Sequence, residues 1–345
     1  MMKVKFKILL TLLAFLPFGL QAAEYSKAVH QGYSKSLITA LNVSNKFGTI
    51  EINDFGGDSV TVDVTITVET NSEGRAQQLM NLIDINISRS GGLLNAQTEI
   101  NNDFKSKQNF SIDYKINIPK DRALTVRNKF GNVAVQALDA PGNFEISYGN
   151  LTAGTLNSPA NGVHLELAYG KADIESSNKM TGEIKYSKLF LGQAGDLTLE
   201  SAYSGINVDE LQSLDLESKY DGVKLGRVGK VDAESKYTNY KLEELTGQLD
   251  IETAYGSVSI AKVSPDFKSI NVINTYGGVS LGMDGLSYLI DAECDYCDVK
   301  YPADKFQGNR IKENASLKVQ GNIGSPNGSQ KVVIRSRYGG IKLNN

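Results

Sequence analysis

The stretch ESKYDGVKLGRVGKVDAESKYTNYKLEEL, Glu217–Leu245, spells E-S-K-Y twice, with Tyr220 and Tyr237 seventeen residues apart. Aligned on that aromatic, the pattern runs through Phe130, Tyr148, Tyr169, Tyr186, Tyr203, Tyr220, Tyr237, Tyr255, Tyr276 and Tyr296, with outlying copies at Phe47 and Tyr338. Successive intervals are 18, 21, 17, 17, 17, 17, 18, 21 and 20 residues. A period this short holds one coil of a repeat architecture rather than a domain.

Apolar residues keep fixed offsets within each unit. Three and five positions after the aromatic come Ile206 and Val208, Val223 and Leu225, Val258 and Ile260; eight positions after it come Leu211, Val228, Leu245 and Val263. Before it, Leu214-x-Leu216-x-Ser218-x-Tyr220 repeats the alternation of Leu197-x-Leu199-x-Ser201-x-Tyr203. Period two means strands with one buried face. The residue after the aromatic is small or turn-favouring, as at Gly149, Ser204, Asp221 and Gly256, and suits a corner. One coil cannot bury its own apolar side, whereas stacked coils share a core. The expected fold is therefore all-β, a parallel β-solenoid of 17–21-residue coils. Its continuous part should be about 43 Å long at one strand spacing per coil. The aromatics are read as sharing the parity of the buried positions, which predicts an internal or corner stack with hydroxyls reaching the edge.

Other segments read differently. Lys3, Lys5 and Lys7, the apolar run Ile8–Leu20 and the exit Gln21-Ala22-Ala23 follow the order of a secretory signal peptide over residues 1–23. Export is expected, with the mature chain periplasmic, secreted or at the cell surface, and no later run is long enough to span a membrane. Residues 24–127 read as a β-rich cap with a first coil: an alternating strand Ser59–Glu69, a short helix across Gly74–Leu82, and strands at Ile83–Ser88 and Phe110–Ile118. Residues 128–345 read as the repetitive solenoid, with a loop-rich insertion near 302–330 before a last coil.

Composition excludes much chemistry. The net charge of −3 gives no reason to expect nucleic acid as a partner. His30 and His164 are the sole imidazoles, the first in what reads as a poorly ordered start and the second outward on a strand; no Ser/His/Asp set is plausible. Cys294 and Cys297 form a CxxC, but a metal would need two further ligands that the neighbourhood does not offer. Cys294 falls on the polar position two before the aromatic and Cys297 on the corner position after it, which favours a local disulfide over free thiols or a redox centre.

The sharper signal is acidic. Three positions before the aromatic stand Glu145, Glu166, Glu183, Glu200, Glu217, Glu234, Glu252 and Glu293, interrupted by Ile273; two positions earlier still come Asp215, Asp232, Asp250 and Asp291. Stacking would bring like charges within about 5 Å, which is unfavourable. Lys185, Lys219 and Lys236 can neutralise part of the strip. The strip is then either a self-compensated solvated lattice or a binding surface for Ca²⁺ or a basic partner. A carbohydrate-active β-helix would use one carboxylate pair where the repeat breaks, whereas these carboxylates recur in every coil.

The segments NKFGTIEI (Asn45–Ile52), YKINIPKDRALTVRNKFGNVAV (Tyr114–Val135) and the serial YG.V.L coils are together similar to the "putative adhesin" family of bacterial extracytoplasmic proteins. That resemblance covers nearly all of the chain after its start. It implies a β-solenoid of the cell envelope and carries over no catalytic residues. The expected function is that of a non-enzymatic exported adhesin or envelope protein-interaction scaffold, with an envelope or surface protein or a glycan as partner. A partner-binding role in an envelope stress or regulatory system is the alternative.

Overall fold

The computed structural model describes residues 23–158, 162–325 and 329–344, so the proposed signal peptide lies outside the described residues apart from Ala23. Through the middle of the chain each coil is one long bent strand, and successive strands pair in parallel: Lys171–Lys185, Lys188–Ala202, Gly205–Lys219, Gly222–Lys236 and Asn239–Ala254. The register places each aromatic-relative position over its equivalent, with Ile206 over Val223, Leu216 over Ala233 and Glu217 over Glu234. Alternation decides which side goes in: Ile206, Val223 and Val258 are buried, and Glu200, Glu217 and Glu234 are exposed. The third apolar column, Leu211, Val228, Leu245 and Val263, is buried too. It sits beside a break in the strand pairing, where Val208 pairs with Leu225 and Glu210 with Arg227 but the residues between them do not. At Gly226 an added Cβ would lie 2.2 Å from the Asp209 carbonyl oxygen.

The N-terminal end is closed by strands that change direction. Leu93–Ile100 lies parallel on Ala40–Lys46 and carries Ile83–Ser90 antiparallel on its far side. Phe110–Ile118 lies parallel on Ile50–Asp54, followed by Ser59–Thr70 and, outermost, Ala23–Ser34, both antiparallel. The helix Glu73–Met80, capped by Ser72, buries Ala76, Leu79 and Met80. His30 therefore does not sit in a disordered start. It lies in the ordered strand Ala23–Ser34, its ring bonded to Asp63 at 2.5 Å on an exposed surface.

The C-terminal end departs from chain order. The stretch read as loop-rich contains an antiparallel hairpin, Phe306–Glu313 with Ser316–Ile323, whose second strand pairs with Tyr288–Asp295. The last coil is not the outermost: Lys331–Arg337 inserts between Ser269–Thr275 and Tyr288–Asp295, parallel to both. Spacing along the sequence cannot reveal such an insertion, because the wedged coil keeps the same repeat as its neighbours.

Candidate functional site

The corner of each coil builds the first surface feature. Every aromatic mark adopts positive φ, from 51° at Tyr186 to 66° at Phe47. A left-handed residue swings its own side chain outward and turns the next residue in, so Ser187, Ser204, Asp221 and Thr238 are buried while the tyrosines before them are not. The stack is thus at the corner, as expected, but outside the core: the rings from Phe130 to Tyr338 are 40–61% exposed. The sign of this was in the sequence, since inward apolar residues fall at even offsets before the aromatic and odd offsets after it.

Neighbouring rings lie 4.6–5.1 Å apart and within 22° of parallel, in the order Phe47, Phe130, Tyr148 and so on to Tyr276, then Tyr338 and Tyr296. A left-handed backbone costs a bulky residue about 1–2 kcal/mol, and an aromatic pair returns about 0.5–1.5 kcal/mol. The two nearly cancel. Backbone bonds along the rod hold the corner as well, as from Tyr203 N–H to the Lys219 carbonyl at 3.0 Å. Interior rings have both faces covered and offer edges and hydroxyls, none of which has a protein hydrogen-bond partner among the described residues. Tyr296, the last ring and 61% exposed, stacks on Tyr338 on one side.

Inside the corner runs a polar spine. Gly170 N–H donates to Ser187 Oγ, Ser187 N–H to Ser204 Oγ and Ser204 N–H to an Asp221 carboxylate oxygen, at 3.1, 3.1 and 2.6 Å. Asp221 is 4% exposed, and its burial pushes its carboxyl above the usual range despite hydrogen bonds from Ser218 and Ser204. Cys294 and Cys297 occupy the same spine and are joined by a disulfide.

The acidic residues fall in one column. Glu145, Glu166, Glu183, Glu200, Glu217, Glu234 and Glu252 follow one another in register, with Asp215, Asp232 and Asp250 in register beside them. Arg127 closes the near end of the column, 3.0 Å from Glu145. At the far end, beyond Ile273, the wedged strand brings in Arg335, which pairs with Asp291 at 3.1 Å and lies 3.7 Å from Glu293. Glu293 therefore does not continue the column directly after Ile273.

Neutralisation within the strip is local. Lys185 bonds Glu183 at 2.5 Å and holds that carboxyl below its ordinary range. Lys230 lies 3.7 Å from Asp232 and Asn271 donates to Asp250 at 2.9 Å. Lys219 and Lys236, expected to share this role, form no ion pair among the described residues, and neither do Glu200, Glu217 and Glu234. Among the described residues no group of three His, Cys, Asp or Glu side chains could hold a metal ion within one cluster. His164 bonds Thr181 and Glu166 on the outward face, on a different strand from His30.

No family model matches the chain, and no curated protein matches it at a significant level. Solved structures are similar to it at low identity. One is a "putative cell adhesion protein" from Clostridium sporogenes, 13% identical, with 92% of this chain and 99% of that one covered and a TM-score of 0.20. A "putative adhesin" from Parabacteroides merdae is 15% identical over 74% of this chain and 96% of that one, with a TM-score of 0.38. Another from Bacteroides fragilis is 14% identical over 74% and 97%, with a TM-score of 0.37.

Proposed function

We propose that this chain is an exported, non-enzymatic rod of adhesin type that holds an extended envelope or surface partner through many equivalent weak contacts. The observation that carries the reading is the in-register column of glutamates, whose middle members Glu200, Glu217 and Glu234 stack on one another without an ion-pairing cation. Like charges at one strand spacing repel, so a ligand that neutralises several of them gains from each contact. A basic protein segment does this multivalently, and Ca²⁺ does it ion by ion. The signal-like order of residues 1–23 and the disulfide suit an oxidising compartment outside the cytoplasm, and no described helix is long and apolar enough to cross a membrane.

The test compares the mature protein with the triple variant Glu200→Gln/Glu217→Gln/Glu234→Gln. Millimolar Ca²⁺ or an oligolysine peptide should raise the melting temperature of the first and not of the second, because a ligand bound only by the native state stabilises it. A rise no larger than that from NaCl of equal ionic strength would reduce the effect to screening and leave the strip as a solvated face.

A further inference from the structure

At the N-terminal end of the aromatic ladder the chain forms an open cavity of 860 Å³. One wall is apolar. Phe110 tilts against Phe47, the first ring of the ladder, at 5.1 Å, and Phe104 meets Phe110 edge-on at 4.7 Å. The other lining is cationic: Lys46 from the first coil, Arg75 from the helix, and Lys105 and Lys107 from the segment between Ile100 and Phe110. Arg75 is anchored there by a 3.2 Å bond to the Lys105 carbonyl, and the Lys46 ammonium sits 5.0 Å over the Phe47 ring.

Closing the ladder accounts for the rings. It does not account for four cations supplied by three separate elements around one cavity. No carboxylate lines it, and none of the four forms an ion pair among the described residues. Like charges gathered without a counter-charge cost free energy in the empty protein, and an anion removes that cost. The apolar wall adds burial at about 25 cal/mol per Å² of apolar surface covered. The tilted rings, at 57° and 61° to one another, present edges and corners rather than the open parallel faces that stack a flat ring, which suits a flexible chain.

We infer that this cavity binds an anionic amphiphile, a phosphate or carboxylate head held by Lys46, Arg75, Lys105 and Lys107 with an acyl chain against Phe47, Phe104 and Phe110. Such a site would place an amphiphile at one end of the rod and leave the acidic strip free. It is independent of the strip, so either can fail alone.

Titration calorimetry with dodecyl phosphate below its micellar concentration tests the site, with inorganic phosphate and dodecyl maltoside as the two half-ligands. Dodecyl phosphate should saturate one site, at least ten-fold tighter than inorganic phosphate, and dodecyl maltoside should not saturate. The variant Lys105→Glu/Lys107→Glu, altered at two exposed positions, should lose at least ten-fold in affinity for dodecyl phosphate at an unchanged melting temperature. The triple glutamine variant of the strip should bind as the parent does. Equal binding of dodecyl maltoside would overturn the proposal in favour of a plain apolar contact, and equal binding of inorganic phosphate in favour of a plain anion site. Insensitivity to the charge reversal would place the ligand elsewhere.

Discussion

Ser218 Oγ donates a 2.7 Å hydrogen bond to the Asp221 carboxylate across a corner, and Cys294 and Cys297 close the corresponding gap in a later coil with a disulfide. The same two positions are filled elsewhere by matched partners. Asn274 donates to the Gly277 carbonyl at 2.6 Å and Ser336 to the Gly339 carbonyl at 2.5 Å. The corner thus accepts a hydrogen bond or a covalent bond between the residues flanking the aromatic, and the CxxC is one version of a structural link.

The variant Cys294→Ser/Cys297→Ser should therefore fold and keep partner binding. The closed loop is very short, so the chain-entropy contribution of the disulfide is about 2 kcal/mol, part of which a serine pair recovers. Thermal melts with and without reductant should show a small drop for the parent and none for the variant. A folded variant that had lost partner binding would reveal a role beyond the corner.

The left-handed ring positions invert an ordinary ranking. In a strand, glycine is usually worse than alanine by about 0.5–1 kcal/mol. At Tyr203, φ is 53°, and alanine would lose both stacking neighbours while keeping the strain. Glycine loses the same stacking and is relieved of about 1 kcal/mol of it. Urea denaturation should rank the parent above Tyr203→Gly and Tyr203→Gly above Tyr203→Ala.

Asp221 sets a pH dependence. Its carboxyl is raised by burial, so the folded chain holds this proton more tightly than the unfolded chain. The associated stability is complete below the unfolded value, about 3.9, and is lost as pH rises through the folded value. Near pH 7 the residue is therefore a burden. Asp221→Asn keeps an oxygen for the Ser204 N–H and a polar partner for Ser218, and should melt higher than the parent at pH 7. Calorimetry at pH 3.5 should show the difference closing; a constant gap across pH would mean that charge at this site is not its cause.

Parity along a strand can be tested with two adjacent residues. Leu216 is 1% exposed between Leu199 and Ala233, and Glu217 faces solvent. Leu216→Asp should cost more than about 4 kcal/mol by placing an unpaired charge in the shared core. Glu217→Leu should leave stability equal or higher, since it removes one member of a repelling column. Similar losses from both would contradict the assigned register.

Much of this was legible in the sequence because a solenoid writes each decision many times. Ile206, Val223 and Val258 at one offset declare the core, and Glu200, Glu217 and Glu234 at another declare the outer face. The strands Ser59–Thr70 and Phe110–Ile118 were legible from alternation, and the short helix expected across Gly74–Leu82 spans Glu73–Met80. What repeats conceal is the single event. The strand Ala23–Ser34 was hidden because only Tyr25, Val29 and Tyr33, four residues apart, turn toward the core while Lys27 and Gln31 between them are exposed, which breaks the period of two, and the hairpin Phe306–Ile323 because its first strand is almost wholly exposed. The outward swing of Tyr203 was written in the change from even to odd offsets across it, from Leu199 and Ser201 to Ile206 and Val208, which a reading of parity on one side of the aromatic passes over. The cavity beside Phe104 gathers residues from three distant segments, and no spacing links Lys46, Arg75 and Lys105.

The wedged strand bears on how the molecule is completed as it is made. Coils up to Ser269–Thr275 can add one upon another as the chain emerges from its N-terminus. Tyr288–Asp295 and its hairpin do not touch that growing edge directly: Lys331–Arg337 lies between them and bonds to both. Ile341–Asn344 does the same further along the coil, between Val279–Gly282 and Val299–Lys300. Until those closing residues arrive, the rod ends in an open strand edge, the kind of surface that recruits other chains. A chain cut before Lys331 should therefore keep its earlier coils but expose the edge of Ser269–Thr275 that Lys331–Arg337 otherwise covers.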